Sequence, residues 1–248
     1  MALDVRTLEE FYAGRIGQVA RRLILQRLRT LWPTLSGRRV LGLGYAAPYL
    51  RPMVGDAERT IAAIPEALGV ASWGVGGRSL TTVVDELALP FPDSFFDCQL
   101  VIHGLEATEA QRPFLRELWR VLAPAGRMIV VAPNRASLWA QMETSPFGHG
   151  QPYSRGQLAR LLDESLFRPE YWDAALFMPP FGGRRSLRGG RAWERIGARV
   201  WPRLAGVHIV EATKSLYAPV GLVKARRRGV LKPAMVSNAP SKNMPSRR

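Results

Sequence analysis

The sequence predicts an α/β protein built on a single doubly wound, mostly parallel sheet of seven strands with helices on both faces. A loop with two prolines leads into Phe96-Asp97 and then into a mostly apolar run that ends at His103, which is typical of a strand buried on both faces. Residues 109–122 then place apolar side chains at helical spacing, and residues 127–132 form a second buried strand. This alternation of β and α segments indicates a parallel sheet covered by helices.

The part of the chain before this region supplies a leading helix and three strands. Residues 7–32 repeat apolar side chains at three- to four-residue spacing, with basic residues on the other face, and predict one amphipathic helix. Such a helix could lie on a membrane, but we expect it to pack as the leading helix of the domain. The first three strands are predicted at residues 39–44, 60–64 and 79–84.

The part after the fifth strand begins with a loop rich in Gly and Pro, up to residue 153. Ser154 and Gln157 then have the spacing of a capping box, which predicts a helix start. We expect a sixth strand at residues 171–178, a flexible basic loop at 182–190, a helix at 192–204 and a seventh strand at 207–214.

Two segments carry a resemblance to a known family. The order Leu-Pro-Phe-Pro-Asp-x-x-Phe-Asp at residues 89–97, after the acidic pair Asp85-Glu86, closely resembles the loop into strand four of the class I S-adenosylmethionine-dependent methyltransferases, type 11-like. Residues 116–127 are similar to the helix, turn and fifth strand of that family. The resemblance implies a Rossmann-like methyltransferase fold, a seventh strand inserted antiparallel between strands five and six, and S-adenosylmethionine as cofactor.

The turn after the first strand departs from the family pattern. There the family usually has acid-x-Gly-x-Gly-x-Gly, whereas residues 42–48 read Gly-Leu-Gly-Tyr-Ala-Ala-Pro. Only Gly44 keeps its place, Gly42 replaces the acid, and Pro48 replaces the last glycine. The resemblance assigns Gly42, Gly44 and Tyr45 to the cofactor turn, although a tight strand-to-helix turn needs glycine with or without a ligand.

The remaining cofactor candidates lie at the ends of three further strands. Glu66 is the candidate for the acid that receives the ribose hydroxyls, but it could equally be a solvent-facing acid at a helix start. Asp85 and Glu86 stand where the family has its adenine-side acid, and a turn-capping aspartate is the alternative. His103 ends the fourth strand and would face the same cleft, unless it is a hydrogen-bonded strand-end histidine.

The sequence leaves the catalytic residue and the methyl acceptor unidentified. Polar side chains in the loop after the fifth strand could orient or deprotonate an acceptor, and they are Asn134, Arg135, His149 and Tyr153. Three histidines and one cysteine show no metal-ligand spacing, so no metal is expected. Two functions therefore stay open: a methyltransferase, or a methyltransferase-like protein that has lost cofactor binding and serves as a partner or scaffold.

The formal net charge of +15 invites a nucleic-acid interpretation, but eight of the basic residues lie in residues 224–248, which contain no acid. We expect a methyltransferase-like domain at residues 1–223, with its sheet core at 38–217, followed by a disordered basic tail. The tail is either solvated or binds RNA, anionic lipid or an acidic protein. The lone Cys98 is expected in the core, and the absence of an apolar leader or membrane span favours a cytoplasmic protein.

Overall fold

The structure is a computed structural model in which residues 3–70, 74–75, 78–180 and 190–215 are described. Seven strands form one sheet. They are β1 (Arg39–Gly44), β2 (Arg59–Pro65), β3 (Thr81–Val84), β4 (Phe96–Ile102), β5 (Leu122–Pro133), β6 (Phe167–Ala175) and β7 (Val207–Lys214). A separate ribbon of two residues on each side pairs Gly74–Val75 with Arg78–Ser79.

Six α-helices accompany the sheet in the part of the chain that the structure describes. They are α1 (Val5–Ala13), α2 (Arg15–Leu31), α3 (Ala47–Leu50), α4 (Gln111–Val121), α5 (Arg155–Glu164) and α6 (Gly190–Val200). Short 3₁₀ turns cover Arg51–Asp56, Glu66–Leu68, Trp139–Gln141, Pro146–Gly148 and Pro202–Leu204. The predicted capping box is confirmed, since the Ser154 hydroxyl accepts from the Gln157 backbone N–H and the Gln157 amide oxygen accepts from the Ser154 backbone N–H.

The strand order is β3-β2-β1-β4-β5-β7-β6. Strands β1 to β5 pair parallel with one another, and β7 pairs antiparallel with both β5 and β6. The expected insertion of the seventh strand is therefore confirmed. The order reverses between β1 and β4, so the carboxyl ends of these two strands form the crevice where open α/β sheets bind ligands.

Both faces of the sheet are buried. On β1, Val40 contacts the cluster under α1 and α2, whereas Leu41 and Leu43 contact the cluster under α4 and α5. The same alternation continues along β4, β5 and β7, whose apolar side chains fall in both clusters. Cys98 lies in this core as expected, and burial raises the pKa of its thiol to about 11.

The single leading helix predicted at residues 7–32 is wrong. The chain breaks at Gly14, whose backbone is extended (φ −69°, ψ 159°), and α1 folds back on α2. The two helices approach so closely that a Cβ on Gly17 would lie 2.0 Å from the Phe11 carbonyl oxygen. Hydrophobic periodicity missed the break because both helices bury one face against the same core.

Several predicted boundaries also move. The third strand starts at Thr81, the sixth occupies residues 167–175 rather than 171–178, and the helix predicted at 192–204 is α6, which ends at Val200. Strand β5 begins directly after α4, and its pairing with β4 shifts register where the turn at Pro124–Gly126 was expected. The basic tail and nearly all of the loop predicted at 182–190 lie outside the described residues.

Candidate functional site

The candidate site lies at the carboxyl ends of β1, β2, β3 and β4. Gly44 ends β1 with φ at +81°, in the left-handed region that favours glycine. A Cβ at Gly44 would stand 2.2 Å from the Ile102 carbonyl oxygen, and the Tyr45 N–H donates to that same oxygen at 2.7 Å. The close approach of β1 to the end of β4 therefore explains this glycine without a ligand.

Gly42 is a second glycine explained by packing. A Cβ there would lie 2.4 Å from the Leu50 Cδ1 atom and 2.7 Å from the Ala46 Cβ atom. The space that the family's acid would enter is thus filled by side chains of the following turn. Leu50 and Ala46 are both almost fully buried, so a carboxylate at position 42 would also lose its hydration.

A buried cluster of aromatic and titratable side chains stands directly above the β1 turn. This tyrosine–histidine cluster consists of Tyr12 from α1, Tyr45 and Tyr49 from the turn and α3, and His103 and Glu106 from the end of β4. The Tyr12 ring stacks on Tyr45 with centroids 5.6 Å apart, and each member of the cluster is at least nine-tenths buried. Helix α1 therefore covers the carboxyl ends of β1 and β4 with a side chain of its own.

One chain of hydrogen bonds runs through the cluster. The Tyr49 hydroxyl donates to the Tyr12 hydroxyl, and the two oxygens are 2.8 Å apart. The Tyr12 hydroxyl then uses its own proton to donate to His103 Nε2, also at 2.8 Å. With Nε2 accepting, the neutral imidazole carries its proton on Nδ1 and donates to Glu106 Oε1 at 3.1 Å. A carboxylate that orients an imidazole, whose far nitrogen accepts a hydroxyl proton, is the arrangement of a general base.

The electrostatic state of the cluster follows from its burial. Burial raises the pKa of Tyr12 well above its usual range, and it raises the pKa of Tyr45 to about 12, so both hydroxyls stay protonated at neutral pH. The second oxygen of Glu106, Oε2, is buried without a hydrogen-bond partner among the described residues. His103 itself adopts a left-handed backbone conformation, with φ at +53°. Unpaired buried polar atoms and backbone strain of this kind are concentrated at functional sites.

The acids predicted at the ends of β2 and β3 lie at one edge of the cleft. Pro65 and Val84 are paired neighbours in the sheet, so Glu66 and Asp85 leave it side by side. Glu66 is exposed and Glu86 half-buried, and neither carboxylate makes a hydrogen bond or ion pair with the described residues. Asp85 is exposed, and its Oδ1 accepts from the Leu87 N–H at 2.8 Å, the turn-capping role that was its alternative.

These residues fit one end of S-adenosylmethionine better than the other. Glu66 and Glu86 have free carboxylate oxygens where a ribose or adenine would need acceptors. Beside Gly44, where the amino-acid end would lie, the stacked rings of Tyr12 and Tyr45 occupy the space. The nucleoside end therefore fits the arrangement described, whereas the amino-acid end requires Tyr12 to move.

Sequence reasoning missed three members of the cluster: Tyr12, Tyr49 and Glu106. Tyr12 lies 91 residues before His103 on a helix whose aromatic positions looked like ordinary core, so only the tertiary fold brings the two together. The sequence contains a weak indication of Glu106, because the side chain of an acid three residues after a strand-end histidine can reach back to the imidazole ring of that histidine.

The four polar residues predicted to face an acceptor from the loop after β5 differ in their burial and in their hydrogen bonds. Asn134 is buried and donates from Nδ2 to the carbonyl oxygens of Ala205 and Arg203, and the Tyr153 hydroxyl donates to the Leu105 carbonyl oxygen at 3.2 Å. Arg135 is exposed and bonds Gln157, and His149 is half-buried. Asn134 and Tyr153 therefore hold the loop in place rather than face an acceptor.

Comparison with known proteins agrees with this architecture. The model of a family described as "Methyltransferase domain" matches residues 41–130. The ubiquinone/menaquinone biosynthesis C-methyltransferase UbiE of Edwardsiella ictaluri is 32% identical over 111 residues, which cover 40% of this chain and 44% of that protein. The chain thus matches less than half the length of this curated relative.

Solved structures share the fold at low sequence identity. A S-adenosylmethionine-dependent methyltransferase from Thermotoga maritima superposes with a TM-score of 0.57 at 17% identity, covering 85% of this chain and 96% of that one. The [4+2]-cyclase SpnF gives a TM-score of 0.56 at 21% identity over 81% of this chain and 84% of its own. The strand order and these superpositions show the fold of the S-adenosylmethionine-dependent methyltransferases, and residues 41–130 match the model of the methyltransferase domain.

Proposed function

We propose that the protein is a S-adenosylmethionine-dependent methyltransferase acting on an unidentified acceptor. The observation that carries this proposal is the pair of strand ends at Pro65 and Val84, which bring Glu66 and Asp85 side by side at one edge of the cleft, next to the switch point between β1 and β4. In this proposal Glu66 and the Asp85-Glu86 pair receive the nucleoside end of the cofactor. The backbone of Gly42, Gly44 and Tyr45 lies beside its amino-acid end, and the cofactor supplies an electrophilic methyl group.

The proposal gives the tyrosine–histidine cluster two states. In the closed state, described above, Tyr12 covers the β1 turn and occupies His103 Nε2. When α1 moves away, space opens beside Gly44, and Nε2 becomes free to accept a proton from an acceptor. Glu106 then acts as a positioning residue, because its carboxylate fixes the ring through Nδ1.

A titration tests this proposal directly. Tyr12→Phe keeps the ring but removes the hydroxyl that bonds both His103 and Tyr49, which weakens the closed state by about 1–3 kcal/mol. If binding requires opening, the affinity for S-adenosylmethionine and S-adenosylhomocysteine rises about fivefold or more, because apparent affinity scales with the open fraction. Isothermal calorimetry on both proteins measures the change. The matched control is Tyr171→Phe on exposed β6, which leaves the affinity unchanged.

A second function is favoured by the filled space at Gly42, where Leu50 and Ala46 exclude the family's acid. In this alternative the chain is a methyltransferase-like partner or scaffold, and its basic residues 224–248 contact nucleic acid or an acidic protein. Absence of cofactor binding by both the natural protein and Tyr12→Phe would establish this alternative and refute the enzyme.

The location of the protein is part of the proposal. Among the described residues, no helix is long and apolar enough to span a bilayer. A single, buried, protonated cysteine suits the reducing cytoplasm, which is where we place the protein. We also propose that residues 1–223 form the folded domain and that the basic segment after it is a tail.

A further inference from the structure

The surface around α6 combines exposed apolar side chains with arginines. Eight large hydrophobic side chains are exposed among the described residues, and four of them belong to this region. We call these four the α6 patch: Leu138 (50% exposed), Ile196 (53%), Val200 (63%) and Leu204 (51%). Ile196 and Val200 are one helical turn apart and therefore project from the same side of α6. A concentration of this kind marks an interaction surface.

An apolar groove adjoins the patch. It has a volume of about 310 Å³, and two patch residues, Leu138 and Leu204, form part of its wall. Trp193 and Trp201 line it as well, with ring centroids 6.2 Å apart. Tryptophan is enriched where proteins meet the interface of a bilayer, because its ring is apolar and its N–H is polar.

Three exposed arginines lie beside the patch. Arg195 and Arg199 are exposed on α6, next to Ile196 and Val200, and Arg203 is exposed beside Leu204. None of the three forms an ion pair with a described residue. The acid of this helix, Glu194, points inward, where it is 6% exposed and accepts a hydrogen bond from the Phe177 N–H. The outer surface of α6 is therefore apolar and basic.

We propose that the α6 patch docks the protein on the surface of an anionic lipid bilayer. A helix with an apolar stripe flanked by arginines lies in the plane of the interface, with the arginine heads at the phosphates. The complementary charge argues for lipid as the occupant, since the exposed arginines and the net charge of +15 both attract an anionic surface. The patch lies outside residues 41–130, and the proposal does not depend on cofactor binding.

Vesicle partitioning of the full chain tests the proposal. The vesicles are pure phosphatidylcholine, or phosphatidylcholine with roughly one third phosphatidylglycerol, and bound protein is separated by flotation. The double variant Ile196→Glu/Val200→Glu is expected to lower the partition coefficient on anionic vesicles about 25-fold or more, since each charge at such a surface is worth about fivefold. The matched control is Val70→Glu/Leu87→Glu, which makes the same kind of change at exposed apolar residues elsewhere and changes partitioning less than about threefold.

A second variant separates charge from apolar contact. Arg195→Gln/Arg199→Gln is expected to weaken binding to anionic vesicles about 25-fold and to leave binding to neutral vesicles unchanged. Equal partitioning by the natural protein and Ile196→Glu/Val200→Glu would overturn the proposal, because attraction would then reside elsewhere, such as in the basic tail. A change from dimer to monomer in sedimentation of the double variant would overturn it too, by showing that a second copy covers the patch. Circular dichroism verifies that each variant is folded.

Discussion

The loop that precedes β4 and the turn that follows β1 differ in how closely their sequences follow the methyltransferase pattern. The loop before β4, which we call the entry loop, has the residues that resemble the family, and side chains of α4 hold its backbone in place. Arg120 on α4 donates to the carbonyl oxygens of Leu89 at 2.8 Å and Phe91 at 2.9 Å, and it forms an ion pair with Asp93. Glu117 completes the network by accepting from the Leu89 N–H at 3.0 Å. The family signature in this loop therefore serves the fold.

The β1 turn has lost most of the family's residues, and its space has been filled. Leu50 and Ala46 stand against Gly42, and Tyr12 reaches in from α1 to stack on Tyr45. The segment with the strongest resemblance to the methyltransferases thus supports the architecture, whereas the turn where that family holds its cofactor departs from the family's pattern. The residues that support the fold are thus different from the residues that would bind the cofactor, although both lie in the same domain.

The largest expected effect concerns Gly44, where the turn touches β4. Gly44→Ala should cost about 4 kcal/mol or more in unfolding free energy, because its Cβ would lie 2.2 Å from a backbone oxygen at a positive φ. Gly37→Ala is the control: φ is +66° there as well, but nothing lies within 4 Å, so only the conformational cost of about 1–2 kcal/mol remains. Urea denaturation measures both. Equal losses would show that backbone strain alone, and not contact with β4, explains Gly44.

A smaller effect is expected for the entry loop. Arg120→Ala should destabilise the protein by about 2–4 kcal/mol, since it leaves two loop carbonyls without their donor and removes the ion-pair partner of Glu117. Arg112→Ala removes an exposed ion pair with Glu164 and should cost less than about 1 kcal/mol. If both variants unfold at the same urea concentration, the network does not hold the loop, and the contrast with the β1 turn fails.

The smallest effect separates the two roles of Asp85. Asp85→Ala removes the hydrogen bond to the Leu87 N–H and should cost about 1 kcal/mol, whereas Asp85→Asn keeps an acceptor oxygen and should be nearly neutral in unfolding. If the charge also contacts the cofactor, both variants weaken calorimetric binding, by about fivefold or more. Unchanged binding in both would assign Asp85 to the turn alone and leave Glu66 and Glu86 as the cofactor acids.

The architecture of the sheet could be predicted from local patterns in the amino-acid sequence. The predominantly apolar runs in β4 and β5 indicated burial on both faces, and the spacing in α4 indicated a helix between them. Each of these patterns is local and repeats along a few helical turns or strand residues. The capping box at Ser154 was readable for the same reason, because all of its partners lie within three residues.

The side chains that occupy the cleft could not be predicted in this way, because they come from distant parts of the chain. The break at Gly14 depends on how closely α1 approaches α2, and the bond from Tyr12 to His103 joins residues that are 91 positions apart. The sequence pointed to His103, Asp85 and the β1 turn, but it could not show that Tyr12 stacks above that turn or that Leu50 fills the place of the missing acid. Contacts of this kind carry no periodic signal, because they arise from how whole helices pack across the end of the sheet.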